Sequence, residues 1–376
     1  MNPIYQPLFE HVTLDQQVNI KNRLIMAPMT NFSSNPDGSV SDAEIDYYAR
    51  RSHGVGMVIT ACAYVTANGK GFTDEIAVDR DDIIPSLRRL ASAIQEQGAK
   101  AILQIFHGGR SCPPELVPNG DVVSASAVAH NQPNAIVPRA LSETEIEEII
   151  TAFGMATRRA IEAGFDGVEI HGANGYLIQQ FFSPHSNQRD DRFGGTLEKR
   201  MLFPLSIVDE VQKVVNTHAK RPFLIGYRFS PEETETPGIT MADTLQLVDR
   251  LADKKLSYLH VSLMDFWSVT RHFKDNTKPR IELIVETVNG RVPVIGVGSI
   301  HTADDAIKAL QAGVAFLALG RELIMDPDWV KKVEQGQEAD IHVTLSKDDQ
   351  SRLVVPDPLW QAIMHTPGWF PVVEQV

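Results

Sequence analysis

The chain has 376 residues, of which 43% are hydrophobic and 22% charged, a composition typical of a globular protein that buries a large core. Its formal charge of −13 argues against nucleic acid or an anionic membrane surface as the main partner. Cys62 and Cys112 are too few for a disulfide framework, and the sequence has neither a signal-peptide pattern nor an apolar run of bilayer length. These features predict a cytoplasmic protein with no membrane or nucleic-acid partner.

Short apolar runs rich in Val, Ile and Leu recur along the chain, and each ends in polar or glycine-containing sequence. Near-continuous apolar runs are typical of strands that are buried on both faces. The eight runs span residues 22–29, 56–65, 99–109, 166–173, 223–229, 258–263, 293–300 and 314–323.

Amphipathic segments with a helical period lie between these runs, as in residues 142–164. Ser142 stands three residues before Glu145 and predicts a capping box, and Thr302 with Asp305 is a weaker version of that pattern. Strands that alternate with helices in this way predict an α/β fold, the (β/α)₈ TIM barrel. A doubly wound open sheet is the alternative, but its glycine-rich turn should follow the first strand, where the sequence reads PMTNFSS.

Three segments lie outside the regular alternation. LFEHVTLDQQVNIKN precedes the first strand and predicts a short N-terminal hairpin that closes the barrel bottom. Residues 110–141, with five prolines, predict a long loop after the third strand, either a lid or specificity element over the mouth or a passive surface loop. Residues 336–376 are too short for a domain, so we expect one domain over residues 1–376, with its barrel at about 22–335.

Polar and glycine residues stand at the ends of the predicted strands. In TIM barrels the loops at the C-terminal strand ends build the active site. Those ends supply Pro28, Met29 and Thr30, then Cys62, then Gln104 and His107, then His171 with Asn174 and Tyr176 just beyond, then Arg228, and finally Gly298, Ser299, Gly320 and Arg321.

The stretch HGANGYL, residues 171–177, places three polar side chains at the end of the fourth strand. Side chains alternate along a strand, so His171 faces the barrel interior if the valine and isoleucine of DGVEIHGA face the helices. We expect the chain to turn at Gly172 and Gly175, which brings the asparagine and tyrosine back over the same mouth.

The sequences IGVGSIHTADDA and LALGRELIMDPDW at the last two strands resemble a barrel phosphate site. Small residues allow close backbone approach, N–H groups at a helix start face an anion, and Arg321 supplies a permanent charge. The structural alternative is that the glycines only close tight turns and Arg321 pairs with a surface carboxylate. Two such turns on adjacent strands favour a phosphate-bearing ligand.

A metal site has little support in the sequence. His107, His171 and His185 lie at strand ends or in loops, but no H-x-x-x-H or clustered carboxylate spacing accompanies them. We therefore predict no metal.

Taken together, the strand ends resemble those of the Old Yellow Enzyme family of FMN-dependent ene reductases, also described as NADH:flavin oxidoreductases. The resemblance covers most of residues 1–335 and is most specific in the block that begins at His171. It runs through NRLIMAPMT, LQIFHGGR, HGANGYLIQQFFSPHSNQRDDRFGGTLEKR, LIGYRFSP, GVGSI and LGRELIMDPDW.

The resemblance implies a (β/α)₈ barrel with FMN across its mouth. The Thr30 hydroxyl would bond the flavin O4, and Arg228 would stabilise negative charge near N1 of the reduced flavin. The remaining implied contacts are Pro28 and Met29 at the flavin edge, Cys62 near the ring, Gln104 at the pyrimidine portion, and Gly298, Ser299, Gly320 and Arg321 at the phosphate.

The resemblance also implies the chemistry. His171 and Asn174 would donate hydrogen bonds to the carbonyl or nitro oxygen of an activated alkene, His171 also lying beside the flavin. Hydride would pass from flavin N5 to the β-carbon while Tyr176 protonates the α-carbon. NADH or NADPH would first reduce the flavin in a ping-pong cycle, so the expected partner is a small electrophilic alkene.

Two positions depart from a bacterial subgroup that has cysteine and tyrosine where this chain has Thr30 and Phe32. Phe32 cannot hydrogen-bond a substrate, so the subgroup's substrate preference does not transfer. Two other functions stay open: an FMN carrier or NADH:flavin electron-transfer protein without a dedicated alkene substrate, and a flavin-free enzyme for a sugar phosphate. The C-terminal HTPGWFPVVEQV is either an interface in a homo-oligomer or, as we favour, a segment that docks on its own barrel.

Overall fold

Parallel strands close into a barrel in this computed structural model, which describes residues 1–15, 17–131, 135–271 and 277–373. The barrel strands are β3 Leu24–Met26, β4 Met57–Tyr64, β6 Lys100–Phe106, β9 Gly167–Gly172, β10 Leu224–Phe229, β11 Tyr258–Val261, β12 Val294–Val297 and β13 Phe316–Leu319. Their order around the barrel is β3-β13-β12-β11-β10-β9-β6-β4, and pairing of β3 with β4 closes the barrel. Each lies within one of the eight predicted runs, so the predicted (β/α)₈ fold is confirmed.

Several short strands lie outside the barrel. β5 Ile76–Ala77 extends the sheet beside β4, which the sequence analysis did not predict. The others form two-stranded pairs: β1 Val12–Leu14 with β2 Val18–Ile20, β7 Val123–Ser124 with β8 Arg139–Ala140, and β14 Leu345–Ser346 with β15 Val372–Val373.

Helices surround the strands, and two of them begin at the caps that the sequence predicts. Ser142 and Glu145 form the capping box of α3, and Thr302 and Asp305 form that of α9. The helices are α1 Asp42–Ser52, α2 Ile84–Glu96, α3 Glu143–Ala163, α4 Leu177–Phe182, α5 Leu197–Arg200, α6 Leu202–His218, α7 Met241–Ala252, α8 Arg280–Val288, α9 Ala303–Leu310, α10 Arg321–Met325, α11 Trp329–Gln335, α12 Gln350–Leu353 and α13 Asp357–His365. No described helix is long and apolar enough to cross a bilayer.

The N-terminal end of the barrel is filled by apolar side chains and covered by the predicted hairpin. Leu14, Val18 and Ile20 of β1 and β2 pack onto a buried cluster inside the strands. That cluster contains Ile25, Met57, Ile59, Ile102, Leu224, Tyr258, Ile295 and Phe316. The hairpin therefore closes the barrel bottom as predicted.

The long segment after β6 is packed on the barrel and carries short 3₁₀ turns that the sequence analysis did not anticipate. Cys112, Val117 and Val122 form a small buried cluster of their own. Arg139 pairs with Asp121 at 2.7 Å, which fixes one end of the segment. Residues 132–134 of this segment lie outside the described residues.

Candidate active site

A cavity of about 500 Å³ opens at the C-terminal ends of the barrel strands. Predicted site residues from several strand ends line this one cavity: Pro28, Met29, Asn174, Arg228, Gly298, Ser299, Gly320 and Arg321. Thr30, Cys62, Gln104, His171 and Tyr176 stand outside its lining.

The HGANGYL stretch turns at a different place from the one predicted. Asn174 at φ +59° and Gly175 at φ +78° make the turn, whereas Gly172 is the last residue of β9. Gly172 serves another purpose, because a Cβ there would lie 2.4 Å from the Tyr227 hydroxyl oxygen. The expected turn at Gly172 was wrong.

His171 is buried and stands beside Arg228 of the next strand. Its Nδ1 accepts a hydrogen bond from the Ala173 N–H at 3.2 Å, which leaves the ring proton on Nε2. Burial, aided by the positive charge of Arg228, holds the pKa of His171 well below its usual range. His171 is therefore a neutral donor through Nε2.

Asn174 is oriented by two hydroxyl groups. Its Oδ1 accepts from Ser262 Oγ at 2.8 Å and from Ser230 Oγ at 3.4 Å. Since the oxygen is engaged in this way, the Nδ2 group is left to donate into the cavity. Neither serine is recognisable as a partner from the sequence, because both follow strands distant in sequence from Asn174.

Tyr176 stands in an aromatic cage. Its ring meets Phe106 edge-on at 5.0 Å, His171 at 5.1 Å and Phe72 at 6.2 Å between centroids. Burial raises the pKa of Tyr176 above its usual value, so the phenol keeps its proton. His171 and Tyr176 are therefore in contact, as predicted. Phe72 also contacts Tyr176, which the sequence did not indicate.

Cys62 lies inside β4, two residues before its end, beside a carboxyl group that the sequence analysis missed. Its thiol donates to Glu75 Oε1 at 3.3 Å. Glu75 Oε2 accepts from the backbone N–H groups of Gly71 at 2.8 Å and Phe72 at 3.1 Å. Burial raises the pKa of Glu75 to about 8 and the pKa of Cys62 well above its usual value, so both keep their protons at neutral pH.

Gln104 lies deeper than predicted and belongs to a buried polar group. Its Nε2 donates to Glu169 Oε1 at 2.7 Å, and Glu169 Oε2 accepts from His260 Nδ1 at 2.9 Å. Glu169 stands two residues before His171 on β9 and therefore shares its inward face. Alternation along β9 was thus the available signal, but the contact with His260 depends on the closed barrel.

The far end of the cavity carries the predicted phosphate residues. Gly298 has φ +130°, and a Cβ there would lie 2.8 Å from the Phe266 nitrogen. Arg321 donates through Nη1 to the Trp369 carbonyl oxygen at 3.1 Å. The C-terminal segment therefore docks on its own barrel, as favoured from the sequence, while residues 374–376 lie outside the described residues.

The long segment after β6 reaches the mouth. Arg110 donates through Nη1 to the carbonyl oxygens of Val128 at 3.2 Å and Ala129 at 3.1 Å. The His130 Nε2 atom is 4.0 Å from the position that a Cβ would take at Gly175. The segment thus borders the turn that carries Asn174.

Comparison with known proteins decides the family. The family model described as "NADH:flavin oxidoreductase / NADH oxidase family" matches residues 7–340. The chain belongs to this family, the Old Yellow Enzyme family. Its members use FMN with NADH or NADPH, so this chain is an NAD(P)H-dependent FMN oxidoreductase.

Several members of the Old Yellow Enzyme family are similar over most of this chain. The probable NADH-dependent flavin oxidoreductase YqiG of Bacillus subtilis is 56% identical over 99% of both chains. An NADH:fumarate oxidoreductase of Klebsiella pneumoniae is 42% identical over 94% of this chain, which spans 38% of that longer protein. A solved structure of morphinone reductase in complex with tetrahydroNAD superposes with a TM-score of 0.76 at 26% identity, over 88% of this chain and 91% of that one.

The cavity fits the FMN of this family. Arg228 is 8% exposed, and its Nε atom has no hydrogen-bond partner among the described residues. A buried donor at the mouth can therefore bind an acceptor group of FMN. At the other end, Arg321 and the glycine backbone at Gly298 and Gly320 suit an anionic phosphate. Within the described ranges, no group of His, Cys, Asp and Glu could hold a metal ion.

Proposed function

We propose that the protein reduces the activated C=C bond of α,β-unsaturated carbonyl or nitro compounds with NAD(P)H. The observation that carries this proposal is the ring contact at 5.1 Å between His171, a neutral donor, and the protonated phenol of Tyr176, with Asn174 on the intervening turn and in the cavity lining. Bound FMN supplies the hydride chemistry, and the likeness to a morphinone reductase complexed with tetrahydroNAD supports nicotinamide binding at the same mouth.

His171 and Asn174 bind and polarise the substrate oxygen. A neutral imidazole N–H and an amide N–H are donors whose hydrogen bonds strengthen as that oxygen gains enolate character. The serine contacts to Asn174 Oδ1 keep the amide from presenting its oxygen to the substrate. Both donors are set before the substrate arrives, so little reorganisation accompanies the reaction.

Tyr176 delivers the proton from its phenol oxygen to the α-carbon. Its raised pKa is no obstacle, because a carbanion-like α-carbon is far more basic than a phenolate. The rings of Phe72 and Phe106 exclude water and fix the phenol in one orientation.

The other predicted residues take their roles around FMN in this proposal. Thr30, Pro28, Met29 and Cys62 border the ring, and Gln104 faces the pyrimidine portion. Arg228 balances the charge of the reduced ring, and Arg321 with Gly298, Ser299 and Gly320 holds the phosphate. A single FMN-binding domain over residues 1–376, the oligomeric state and a cytoplasmic location stay predictions of the sequence.

The test is a Tyr176→Phe protein. We expect it to retain FMN and to lose its visible flavin absorbance on addition of NADH or NADPH, yet to reduce cyclohexenone at least about 100-fold more slowly than the wild type. Tyr47→Phe, which removes a buried phenol in α1, is the matched control and should turn over normally. Unchanged cyclohexenone turnover in Tyr176→Phe would refute the tyrosine's role.

A second function, NADH:flavin electron transfer without a dedicated alkene, is favoured by one observation. The fumarate oxidoreductase aligns with this chain over only 38% of its own length, so a homologous unit operates there beside other protein segments. If NADH bleaches the wild-type flavin and neither enones nor nitroalkenes restore the colour, while a one-electron acceptor does, this second function is correct.

A further inference from the structure

Glu169 is a fully buried carboxylate below the mouth of the barrel. It has no role in the proposed reaction. It projects from β9 and is 0% exposed. Both of its oxygens are engaged, Oε1 by the Gln104 amide at 2.7 Å and Oε2 by His260 Nδ1 at 2.9 Å. A carboxyl group in such a place is retained only if its partners hold it, because burial of an isolated charge is strongly unfavourable.

The charges in this group can be assigned. Burial favours the neutral form of Glu169, but the hydrogen bonds from His260 and Gln104 and the charge of Arg228 lower its pKa, so the side chain is a carboxylate. Burial and the positive charge of Arg228 lower the pKa of His260. A neutral His260 therefore donates a hydrogen bond through Nδ1 to Glu169, and the negative charge of Glu169 counteracts the lowering of the Arg228 pKa by burial.

The carboxylate decides which way the Gln104 amide points. An ionised carboxyl group only accepts hydrogen bonds, so it must receive the NH₂ end of the amide. The Gln104 oxygen is thereby directed away from Glu169. The pyrimidine edge of FMN carries an N–H donor between two carbonyl oxygens, and an amide oxygen is the partner that this N–H needs.

We propose that Glu169 is a positioning residue for FMN, which orients the Gln104 amide toward the flavin pyrimidine and offsets the charge of Arg228. This inference rests on the proposed role of Gln104, but not on alkene reduction. FMN affinity and the flavin midpoint potential test this inference, whereas cyclohexenone turnover tests the proposed reaction.

The main experiment replaces the carboxylate by its neutral isostere, Glu169→Gln. FMN is removed from the holoprotein and titrated back while its fluorescence is followed, and the midpoint potential of the reloaded protein is measured. We expect the dissociation constant for FMN to rise about tenfold, because the amide is free to flip. The potential should become less negative, since the Arg228 charge is no longer offset.

Two further variants separate position from charge. Glu169→Asp keeps the charge but shortens the side chain, so FMN binding should weaken while the potential stays near that of the wild type. Glu44→Gln replaces another buried carboxyl group that accepts from an amide, Asn31 Nδ2 at 2.8 Å, and it should change neither quantity. Glu169→Asp also keeps the test decisive if Glu169→Gln does not fold.

A double-mutant cycle tests whether Glu169 acts through Gln104. In a Gln104→Met background, Glu169→Gln should weaken FMN binding by less than twofold, because no amide remains to be oriented. Additive effects of the two substitutions would overturn the positioning role. An FMN affinity within twofold of the wild type in both folded Glu169 variants would overturn it as well.

Discussion

The two ends of the barrel are built on opposite principles. At the N-terminal end, the side chains inside the strands form one apolar cluster, which the β1–β2 hairpin covers. At the C-terminal end, the interior holds Gln104, Glu169, His171 and His260 at 3% exposure or less. Burial of apolar groups stabilises the fold without further conditions, whereas buried polar groups require partners.

The difference separates stability from function along one set of strands. β9 and β10 begin in apolar packing and end in donors and charges, with Leu224 in the lower cluster and Arg228 at the mouth. Substitutions at the bottom should therefore change the free energy of unfolding. Substitutions at the mouth should change binding and turnover.

The largest expected effect tests the bottom. Phe316 is fully buried at the start of β13 within the lower cluster, so Phe316→Ala should lower the free energy of unfolding by about 3–5 kcal/mol through lost burial and a cavity. Urea unfolding measures this loss. FMN affinity of the folded protein should be unchanged, and weakened FMN binding at unchanged stability would contradict the separation of the two ends.

At the mouth, we expect an effect of comparable free energy on catalysis. Asn174→Ala removes a donor to the substrate oxygen and should lower kcat/KM for cyclohexenone by about 10²–10³, or roughly 3–4 kcal/mol. The free energy of unfolding should fall by only about 1 kcal/mol, because the side chain is exposed but alanine tolerates the φ of +59° less well than asparagine does. Steady-state kinetics and thermal unfolding measure the two quantities.

Ser262→Ala is the companion variant for Asn174. It removes the 2.8 Å contact that orients the Asn174 amide but leaves the donor in place. We expect a loss of about fivefold in kcat/KM, since one hydrogen bond to a neutral group is worth about 1 kcal/mol. A larger loss than that of Asn174→Ala would show that the serine acts in its own right.

The fold was predictable because each strand is encoded locally. The apolar runs that become β9 and β10 are continuous, since both faces of a barrel strand are buried. The Ser142 and Glu145 cap was readable for the same reason, as its parts lie three residues apart. Alternation of side chains along the strand likewise predicts that His171 faces the barrel interior.

The partners of the site residues were not predictable, because closure of the barrel creates them. Glu169 is hydrogen-bonded to His260, which lies 91 positions away in the sequence, and Asn174 to Ser262, which lies 88 positions away. The turn at Asn174 was also missed, since asparagine adopts a positive φ only where local hydrogen bonds support it. Sequence patterns gave the residues at the mouth but not the contacts that orient them.

The last prediction concerns the pH dependence of stability at Glu75, whose buried carboxyl group stands beside Cys62. Its pKa is raised from 4.5 to about 8 by burial, so the folded protein retains this proton where the unfolded chain has lost it. Stability from this group is therefore full below about pH 4.5, and the free energy of unfolding slopes downward as the pH rises towards 8. Glu75→Gln, which cannot ionise, should remove that slope. Urea unfolding at several pH values with excess FMN measures it, and exposed Glu115→Gln controls for loss of a surface carboxylate. An equal slope in wild type and Glu75→Gln would mean that the polar end of the barrel keeps this carboxyl group ionised, contrary to its burial.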